Sequence, residues 1–196
     1  MTTRSQHEFT CRGCGCTFSL TSYDIIDVGT DPDLKASVIS GDLFVGTCPK
    51  CGSRALPTHP LVYMDPGEKL LVILSTAPMA ADDVQGYTAR RVERVGDLIE
   101  KVKIHDAGLS DLAIEMCKYV TAQELGREVC LKFLKLDGAD NDLIFAYPSK
   151  EKMEMLSVGF NVYEDCHAII GRNPQMEDRA RGLTKVDQDW IGAFFR

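Results

Sequence analysis

Two matched cysteine motifs decide how this chain folds: Cys11-Arg12-Gly13-Cys14-Gly15 and Cys48-Pro49-Lys50-Cys51-Gly52. In each motif two residues separate the thiols, so one tight turn aims both sulfurs at the same point. Glycine follows the second cysteine in both motifs, and glycine accepts the positive φ that such a turn requires. Zn²⁺ prefers four soft ligands in a tetrahedron, and two matched pairs indicate a metal site more strongly than one. The sequence therefore predicts one structural Zn²⁺, bound by Cys11, Cys14, Cys48 and Cys51.

Other uses of these thiols remain open. Four thiolate ligands leave no position for water, which is typical of a structural zinc site rather than a catalytic one. A paired cysteine with a lowered pKa can instead exchange disulfides, and Cys16 adds a spare thiol beside the first motif. Cys16 is also an alternative to Cys14 as a metal ligand, although it would break the match with the second motif. A structural disulfide is the remaining alternative, and a reducing compartment disfavours it.

The segment between the motifs is longer than in a compact ribbon, where about 15–20 residues separate the two pairs. A chain that leaves the first motif and returns to the second therefore contains structure of its own. We predict a strand over Phe18–Val28, a helix over residues 32–40 and a strand over Leu43–Thr47. Thr30 or Asp31 is expected to cap the helix, and the glycine at position 41 is expected to end it.

Segments around and beyond the motifs carry a family resemblance. They are Cys11–Phe18, Asp31–Lys35, Ser40–Leu43, Thr47–Gly52, Pro60–Asp65, Leu98–Ile104 and Gly108–Asp111. In these segments the chain resembles the CpXC domain family of bacterial and archaeal proteins, named for two Cys-Pro-X-Cys motifs. Arg12 stands where the motif has proline, which leaves the first turn less stiff. The resemblance covers roughly residues 8–130, and it implies a zinc-ribbon-like fold and a bound metal but no activity.

Helices are predicted in the middle of the chain. Residues 82–96 are polar and predict irregular or helical structure, and apolar residues at helical spacing follow over Val95–Val102. Ser110 is an N-cap candidate for a further helix that continues to about Leu125, where Gly126 stops it.

The last third of the chain is predicted to contain both strands and helices. Strands are predicted over Cys130–Leu136, Leu143–Tyr147 and Met155–Tyr163, and helices over Tyr163–Ile170 and Val186–Phe195. Residues 137–142 form an acidic turn that lacks the spaced glutamate of a calcium loop, so a solvated hairpin turn is the better interpretation. Aromatic residues near the end are expected to pack inward or against a partner: Trp190, Phe194 and Phe195.

These elements predict an α+β fold with an N-terminal zinc ribbon and β-strands, central helices, and a C-terminal β-hairpin and helix. We divide the chain into a CpXC-like zinc-ribbon domain with central helices over residues 8–130 and a C-terminal α/β extension over residues 131–196.

Composition and charge limit the expected cellular location of the protein and the kinds of partner it can bind. No apolar run reaches membrane-spanning length, and the polar segment Met1–Glu8 is unlike a signal peptide. We therefore expect a cytoplasmic protein whose eight cysteines stay mostly reduced. The formal net charge is −7, and a four-thiolate zinc centre would add about −2. The densest basic group, Arg90, Arg91 and Arg94, is interrupted by Glu93, which argues against nucleic acid as a partner.

The sequence contains no recognisable catalytic motif, and we predict no catalytic residues. Histidines occur at His7, His59, His105 and His167, and isolated cysteines at Cys117, Cys130 and Cys166. None of these belongs to a metal-helix or nucleophile pattern. Surface or packing roles are therefore expected for the histidines, and packing roles for the isolated cysteines, because free cysteine is commonly buried. The favoured function is a non-catalytic protein-interaction module with an unidentified protein partner. A thiol redox protein and a nucleic-acid accessory protein are the alternatives.

Overall fold

The computed structural model describes residues 1–56, 59–77, 84, 86–126, 128–150 and 152–195. Contacts divide the chain into two units, Met1–Ile99 and Glu100–Arg196. Both units combine helices with strands, as the predicted mixed α+β class requires. The domain limits predicted from the sequence, residues 8–130 and 131–196, stay predictions. Within the described ranges, no helix is both long and apolar enough to cross a membrane.

Among its described residues, the first unit contains two sheets and one complete α-helix. Its elements are β1 (Thr3–Thr10), β2 (Thr17–Asp27), α1 (Leu34–Ser40), β3 (Gly46–Thr47), β4 (Arg54–Ala55), β5 (Leu61–Asp65), β6 (Leu70–Leu74) and β7 (Thr88–Val92). The larger sheet has the order β1-β2-β5-β6-β7. Its β2–β5 and β6–β7 pairs are parallel, and its other pairs are antiparallel. Strands β3 and β4 form a separate two-stranded hairpin.

The central strands of this sheet show alternating burial. Strands β5 and β6 both bury every second residue, which is the two-residue period of a strand that covers a core on one face. Tyr63 and Val72 are directly opposite each other and fully buried. The predicted strand at 18–28 is confirmed, with β2 covering Thr17–Asp27.

Strand β7 contradicts the irregular or helical structure predicted for residues 82–96. Thr88–Val92 pairs in parallel with β6 and buries Ala89, Arg90 and Val92. Arg90 and Arg91 are the reason that this strand was not predicted. Hydrophobic periodicity alone does not indicate a buried strand where charged residues occur. Residues 82, 83 and 85 of the same segment lie outside the described residues.

The segment between the cysteine motifs also differs in detail from the prediction. Helix α1 begins at Leu34, and Asp33 occupies its N-cap position without a side-chain cap hydrogen bond, so neither Thr30 nor Asp31 is the cap. Gly41 ends the helix with φ of 81°, as predicted. The strand predicted over Leu43–Thr47 is wrong for its first part, because a 3-10 turn over Asp42–Phe44 precedes the two-residue β3.

The second unit contains helices and an antiparallel sheet. Its elements are α2 (Val95–Asp106, from Glu100 onward in this unit), α3 (Asp111–Glu124), β8 (Lys132–Asp137), β9 (Asp142–Pro148), β10 (Met153–Val158), α4 (Phe160–Gly171), α5 (Pro174–Arg179) and α6 (Gln188–Gly192). The sheet order is β10-β9-β8. Its core includes Ile114, Phe133, Phe145 and Ile191, all nearly or fully buried.

Several C-terminal boundaries differ from the sequence-based predictions. The predicted strand over Met155–Tyr163 is wrong beyond Val158, because the chain enters α4 at Phe160. The predicted final helix over Val186–Phe195 is shortened to α6, and α5 was not predicted. The acidic segment 137–142 is the turn of the β8–β9 hairpin, with positive φ at Gly138 and Asn141. This confirms the solvated hairpin turn.

The aromatic residues near the C-terminus divide between the core and the surface. Trp190 and Phe194 pack against the hydrophobic core of the second unit. Phe195 is 54% exposed, and its ring stacks on Tyr119 at a centroid distance of 5.3 Å.

A buried ionic network also belongs to the second unit. Lys118 lies 3.0 Å from Glu100 and 2.8 Å from Glu115, and Lys101 lies 3.0 Å from Glu115. Asp111 pairs with Lys101 and Lys132 pairs with Glu100, so these ion pairs between described residues join three cations and three anions. Five of its six side chains are at most 4% exposed, and Lys132 is 30% exposed.

The N-cap of α3 gives a first testable prediction. The Ser110 hydroxyl accepts a hydrogen bond from the Ala113 backbone N–H, which satisfies one of the free donors of the first helical turn. Ser110→Ala is expected to lower the free energy of unfolding by about 1 kcal/mol, and Ser110→Asp is expected to restore most of it. Urea unfolding followed by Trp190 fluorescence measures both variants. Equal stability of Ser110→Ala and wild type would contradict the cap.

Candidate metal centre

Each cysteine motif is the loop of a β-hairpin. The first motif joins β1 to β2, and the second joins β3 to β4. In each loop the glycine N–H donates to the carbonyl oxygen of the first cysteine: Gly15 to Cys11 at 2.8 Å and Gly52 to Cys48 at 2.9 Å. The φ values of these glycines are 69° and 72°, in the left-handed region. The sequence-based argument for glycine at this position is therefore confirmed.

The four predicted ligands converge. The Cys11 and Cys51 sulfurs are 3.6 Å apart, and the Cys14 and Cys48 sulfurs are 3.7 Å apart. All four Sγ atoms lie within 4.8 Å of one another. Ligands of a tetrahedral ion with Zn–S bonds near 2.3 Å stand about 3.8 Å apart, so the spacing fits a metal. It is far longer than a disulfide bond of about 2.0 Å, and the four cysteines are free thiols.

Cys16 takes a different position from the four. Its carbonyl oxygen accepts from the Cys11 N–H, as the Ser53 carbonyl oxygen accepts from the Cys48 N–H, both at 2.9 Å. Cys16 is therefore the counterpart of Ser53, one residue beyond the glycine of its loop. The converging group contains Cys14 rather than Cys16, and the Cys16 thiol donates to the Thr17 carbonyl oxygen at 3.5 Å.

The thiols of the cluster lie so close together that their hydrogen bonds and burial shift the pKa values of Cys14, Cys48 and Cys51. Hydrogen bonds from the Ser53 backbone and side chain lower the pKa of Cys51 to about 6, and the Cys51 backbone N–H lowers the pKa of Cys48. A hydrogen bond from the Cys16 backbone acts in the same direction on Cys14, but desolvation and the neighbouring sulfurs outweigh it and raise the pKa of Cys14 to about 12. Four adjacent thiolates without a cation would repel one another. A divalent cation removes that conflict.

The structure thus defines an α+β protein in which two hairpin loops bring four cysteines close enough to bind a metal ion. The chain belongs to the CpXC protein family, whose model matches residues 9–118. This confirms the resemblance deduced from the cysteine motifs and their flanking segments. Comparisons with curated proteins and with solved structures gave no match.

The isolated cysteines are not among the four converging sulfurs. Cys117 and Cys166 are buried in the core of the second unit, as expected for packing residues. A hydrogen bond between them raises the pKa of Cys117 and lowers that of Cys166. Cys130 is exposed, so the packing role expected for it is wrong.

Sequence reasoning missed a second group of potential ligands. One ligand atom each from His7, Asp24 and His59 lies within 4.8 Å of the other two. The expectation that these histidines serve only surface or packing roles rested on the absence of a local motif. The usable signal was the alternation of β1 and β2, which places His7 and Asp24 on the same face once the hairpin register is known.

Proposed function

We propose that this protein is a zinc-binding, non-catalytic protein-interaction module whose first unit contains a zinc ribbon. The observation that carries the zinc assignment is the spacing of four sulfurs at the tips of two β-hairpins. Tetrahedral four-sulfur sites suit zinc or iron, and zinc adds no redox chemistry. Cys11, Cys14, Cys48 and Cys51 would hold the ion, which would supply folding energy rather than a reactive position.

Metal content per chain tests the zinc assignment. Elemental mass spectrometry on protein purified without chelators is expected to find one zinc per chain and no equivalent of iron. Alkylation of the same sample is expected to modify Cys16 and Cys130 well before the four ligands, because metal-bound thiolates are shielded. Less than a tenth of an equivalent of metal, together with rapid alkylation of the four, would contradict the proposal and favour the thiol redox alternative.

Exposed apolar side chains support the interaction part of the proposal. Met153 is 61% exposed and Met155 is 74% exposed, and both project from the same face of β10. Strand β10 is at the edge of its sheet, where backbone groups are available to another chain. Flexible methionine side chains are common on adaptable binding surfaces. We expect a protein partner to contact this strand.

A paired substitution tests the contact at β10. The double variant Met153→Lys/Met155→Lys is expected to lose at least about tenfold in affinity for a captured partner, because two apolar contacts become charged. Ile169→Lys is the matched control, since Ile169 is 40% exposed on α4 of the same unit. Equal loss in the control, or no loss in the double variant, would remove β10 from the proposal.

The cysteines bear on the location of the protein, and the arginines bear on whether it binds nucleic acid. We place the protein in the cytoplasm, where a reducing environment keeps thiols available to the metal. A nucleic-acid accessory role is disfavoured, because Arg90 is buried and Arg91 pairs with Glu93 at 3.0 Å. The densest basic group therefore does not form a basic patch of the kind that contacts phosphates.

A further inference from the structure

We propose that His7, Asp24 and His59 form a second metal site, which binds a divalent transition metal of the Zn²⁺ type. This site lies in the first unit and shares no ligand with the four-cysteine centre, so it does not rest on the function proposed above. His7 also lies before the residues that match the family model. Three features support this site: the convergence of the ligand atoms, the hydrogen bond that orients His59, and a cavity beside that histidine.

The β1–β2 hairpin brings two of the ligands together. His7 is opposite Leu20 and Ser5 is opposite Ser22 in the antiparallel register, so one face of the hairpin carries Ser5, His7, Leu20, Ser22 and Asp24. His7 Nε2 lies 2.7 Å from Asp24 Oδ1. The Ser5 hydroxyl donates to the same oxygen at 2.9 Å, which orients the carboxylate. The side chains of His7 and Asp24 are only 25% and 34% exposed, respectively.

His59 completes the set from the segment that precedes β5. Its ring lies on the same hairpin face, with a centroid 4.1 Å from that of His7 and 6.0 Å from that of Phe9. One nitrogen of each histidine and one Asp24 oxygen fall within 4.8 Å of one another. Ligands of one zinc ion with bonds of about 2.1 Å stand about 3.4 Å apart, a separation inside that 4.8 Å limit.

A backbone hydrogen bond decides which nitrogen of a neutral His59 ring could bind a metal. His59 Nε2 is 2.8 Å from the Tyr23 carbonyl oxygen, which only accepts, so Nε2 carries the hydrogen. The neutral ring then has its lone pair on Nδ1. That Nδ1 atom is buried and has no hydrogen-bond partner among the described residues. Metal-ligating histidines characteristically donate their other ring N–H to a carbonyl or carboxylate, which fixes the tautomer and the ring orientation.

The ligand set favours zinc-like ions over magnesium or calcium. Imidazole nitrogens suit Zn²⁺ and its neighbours, whereas Mg²⁺ and Ca²⁺ require mainly oxygen ligands. Two histidines and one carboxylate supply three ligands and leave a fourth tetrahedral position. His59 also lines a cavity of about 80 Å³, together with Phe9, Leu20 and Phe44. That volume is sufficient for a water beside His59.

Calorimetric titration of the full chain with Zn²⁺ tests the site. Protein whose four-cysteine centre is already filled is expected to bind one further equivalent at low-micromolar free Zn²⁺. Asp24→Asn and His59→Gln are each expected to weaken this second event by at least about tenfold, with the first equivalent retained. Asp24→Asn keeps the size of the side chain, so it remains informative if His59→Gln is poorly folded. His167→Gln, an exposed histidine on α4, is the matched control and should leave both events unchanged.

Cobalt substitution separates this site from the thiols. The second Co²⁺ is expected to bind without adding sulfur-to-cobalt charge-transfer absorption, in contrast to the ion held by four cysteines. Sulfur-to-cobalt absorption from the second ion would overturn the proposal, because it would place that ion on Cys16 or another thiol. Absence of a second equivalent, or a second event unaffected by both variants, would also overturn it. Failure of the four-cysteine centre would appear separately, as a missing first equivalent with thiolate absorption.

Discussion

Cys48→Ser is expected to abolish stoichiometric zinc binding and to unfold the two hairpin loops of the metal centre. Cys48 is 2% exposed, and its sulfur lies 3.7 Å from that of Cys14. Zinc binding by cysteine-rich peptides has apparent free energies of about 10–16 kcal/mol at neutral pH. An ordinary domain has a total stability of only about 5–15 kcal/mol. Loss of the metal is therefore expected to have the largest effect of any single change in the first unit.

Two measurements check this expectation. Elemental mass spectrometry should find less than a tenth of an equivalent of zinc in Cys48→Ser. Hydrogen exchange should show lost protection at the amides of Gly15 and Gly52, whose hydrogen bonds close the loops. Cys16→Ser is the matched control, because it removes a neighbouring thiol that is not one of the four converging sulfurs. Retention of one zinc and of amide protection in Cys48→Ser would contradict the assignment.

Lys118→Met is expected to lower the free energy of unfolding by about 3–5 kcal/mol, because removing one partner of a buried ion pair leaves uncompensated charge. Lys118 is 2% exposed and contacts both Glu100 and Glu115. Methionine preserves most of the side-chain volume, so the loss reports charge rather than packing. Lys135→Met is the matched control, since Lys135 is 60% exposed and pairs with Asp137 on the surface. Exposed pairs contribute about 0–1 kcal/mol.

Urea unfolding followed by Trp190 fluorescence measures both variants. Trp190 is the only tryptophan of the chain and packs against the core of the second unit, so its emission reports the unit that contains the network. Similar losses in Lys118→Met and Lys135→Met would contradict the importance of the buried network. A second substitution that removes one anion, Lys118→Met/Glu115→Gln, should recover part of the loss, because it restores the balance of charge.

The pH dependence of stability gives a further readout of the same network. Burial alone would raise the pKa of Glu100, but Lys118, Lys132 and Lys101 outweigh it and hold the pKa below its usual value. A carboxyl group whose pKa is lowered in the folded state contributes stability that is present above its unfolded pKa and is lost as pH falls through the folded pKa. In Lys118→Met the pKa of Glu100 should rise, so its contribution should be lost at a higher pH than in wild type. Identical acid-unfolding profiles would contradict this linkage.

The parts of the fold that local chemistry determines were predictable from the sequence. The cysteine turns, the helix end at Gly41 and the helix between Ser110 and Gly126 depend on residues within a few positions of one another. A glycine with positive φ or a serine N-cap carries its physical reason in the local sequence. The four-cysteine centre was predictable for the same reason, because each pair of ligands is held by its own turn.

Features that depend on pairing between distant segments were not predictable in this way. Strand β7 has a polar sequence, and its burial follows from pairing with β6. His7, Asp24 and His59 come from three separate segments, and only the hairpin register and the path into β5 bring them together. The buried lysines of α2 and α3 resemble solvent-exposed helix residues, because their carboxylate partners are recognisable only in three dimensions.

The long segment between the two cysteine pairs has a consequence for chain entropy. Cys14 and Cys48 are 34 positions apart, roughly twice the separation in a compact ribbon. The entropic cost of closing a flexible loop grows only with the logarithm of its length, and each doubling adds about 0.6 kcal/mol. That increment is small beside the free energy of zinc binding. A metal centre of this kind can therefore tolerate a whole strand and helix between its two halves, and segments inserted there can diversify with little effect on the centre itself.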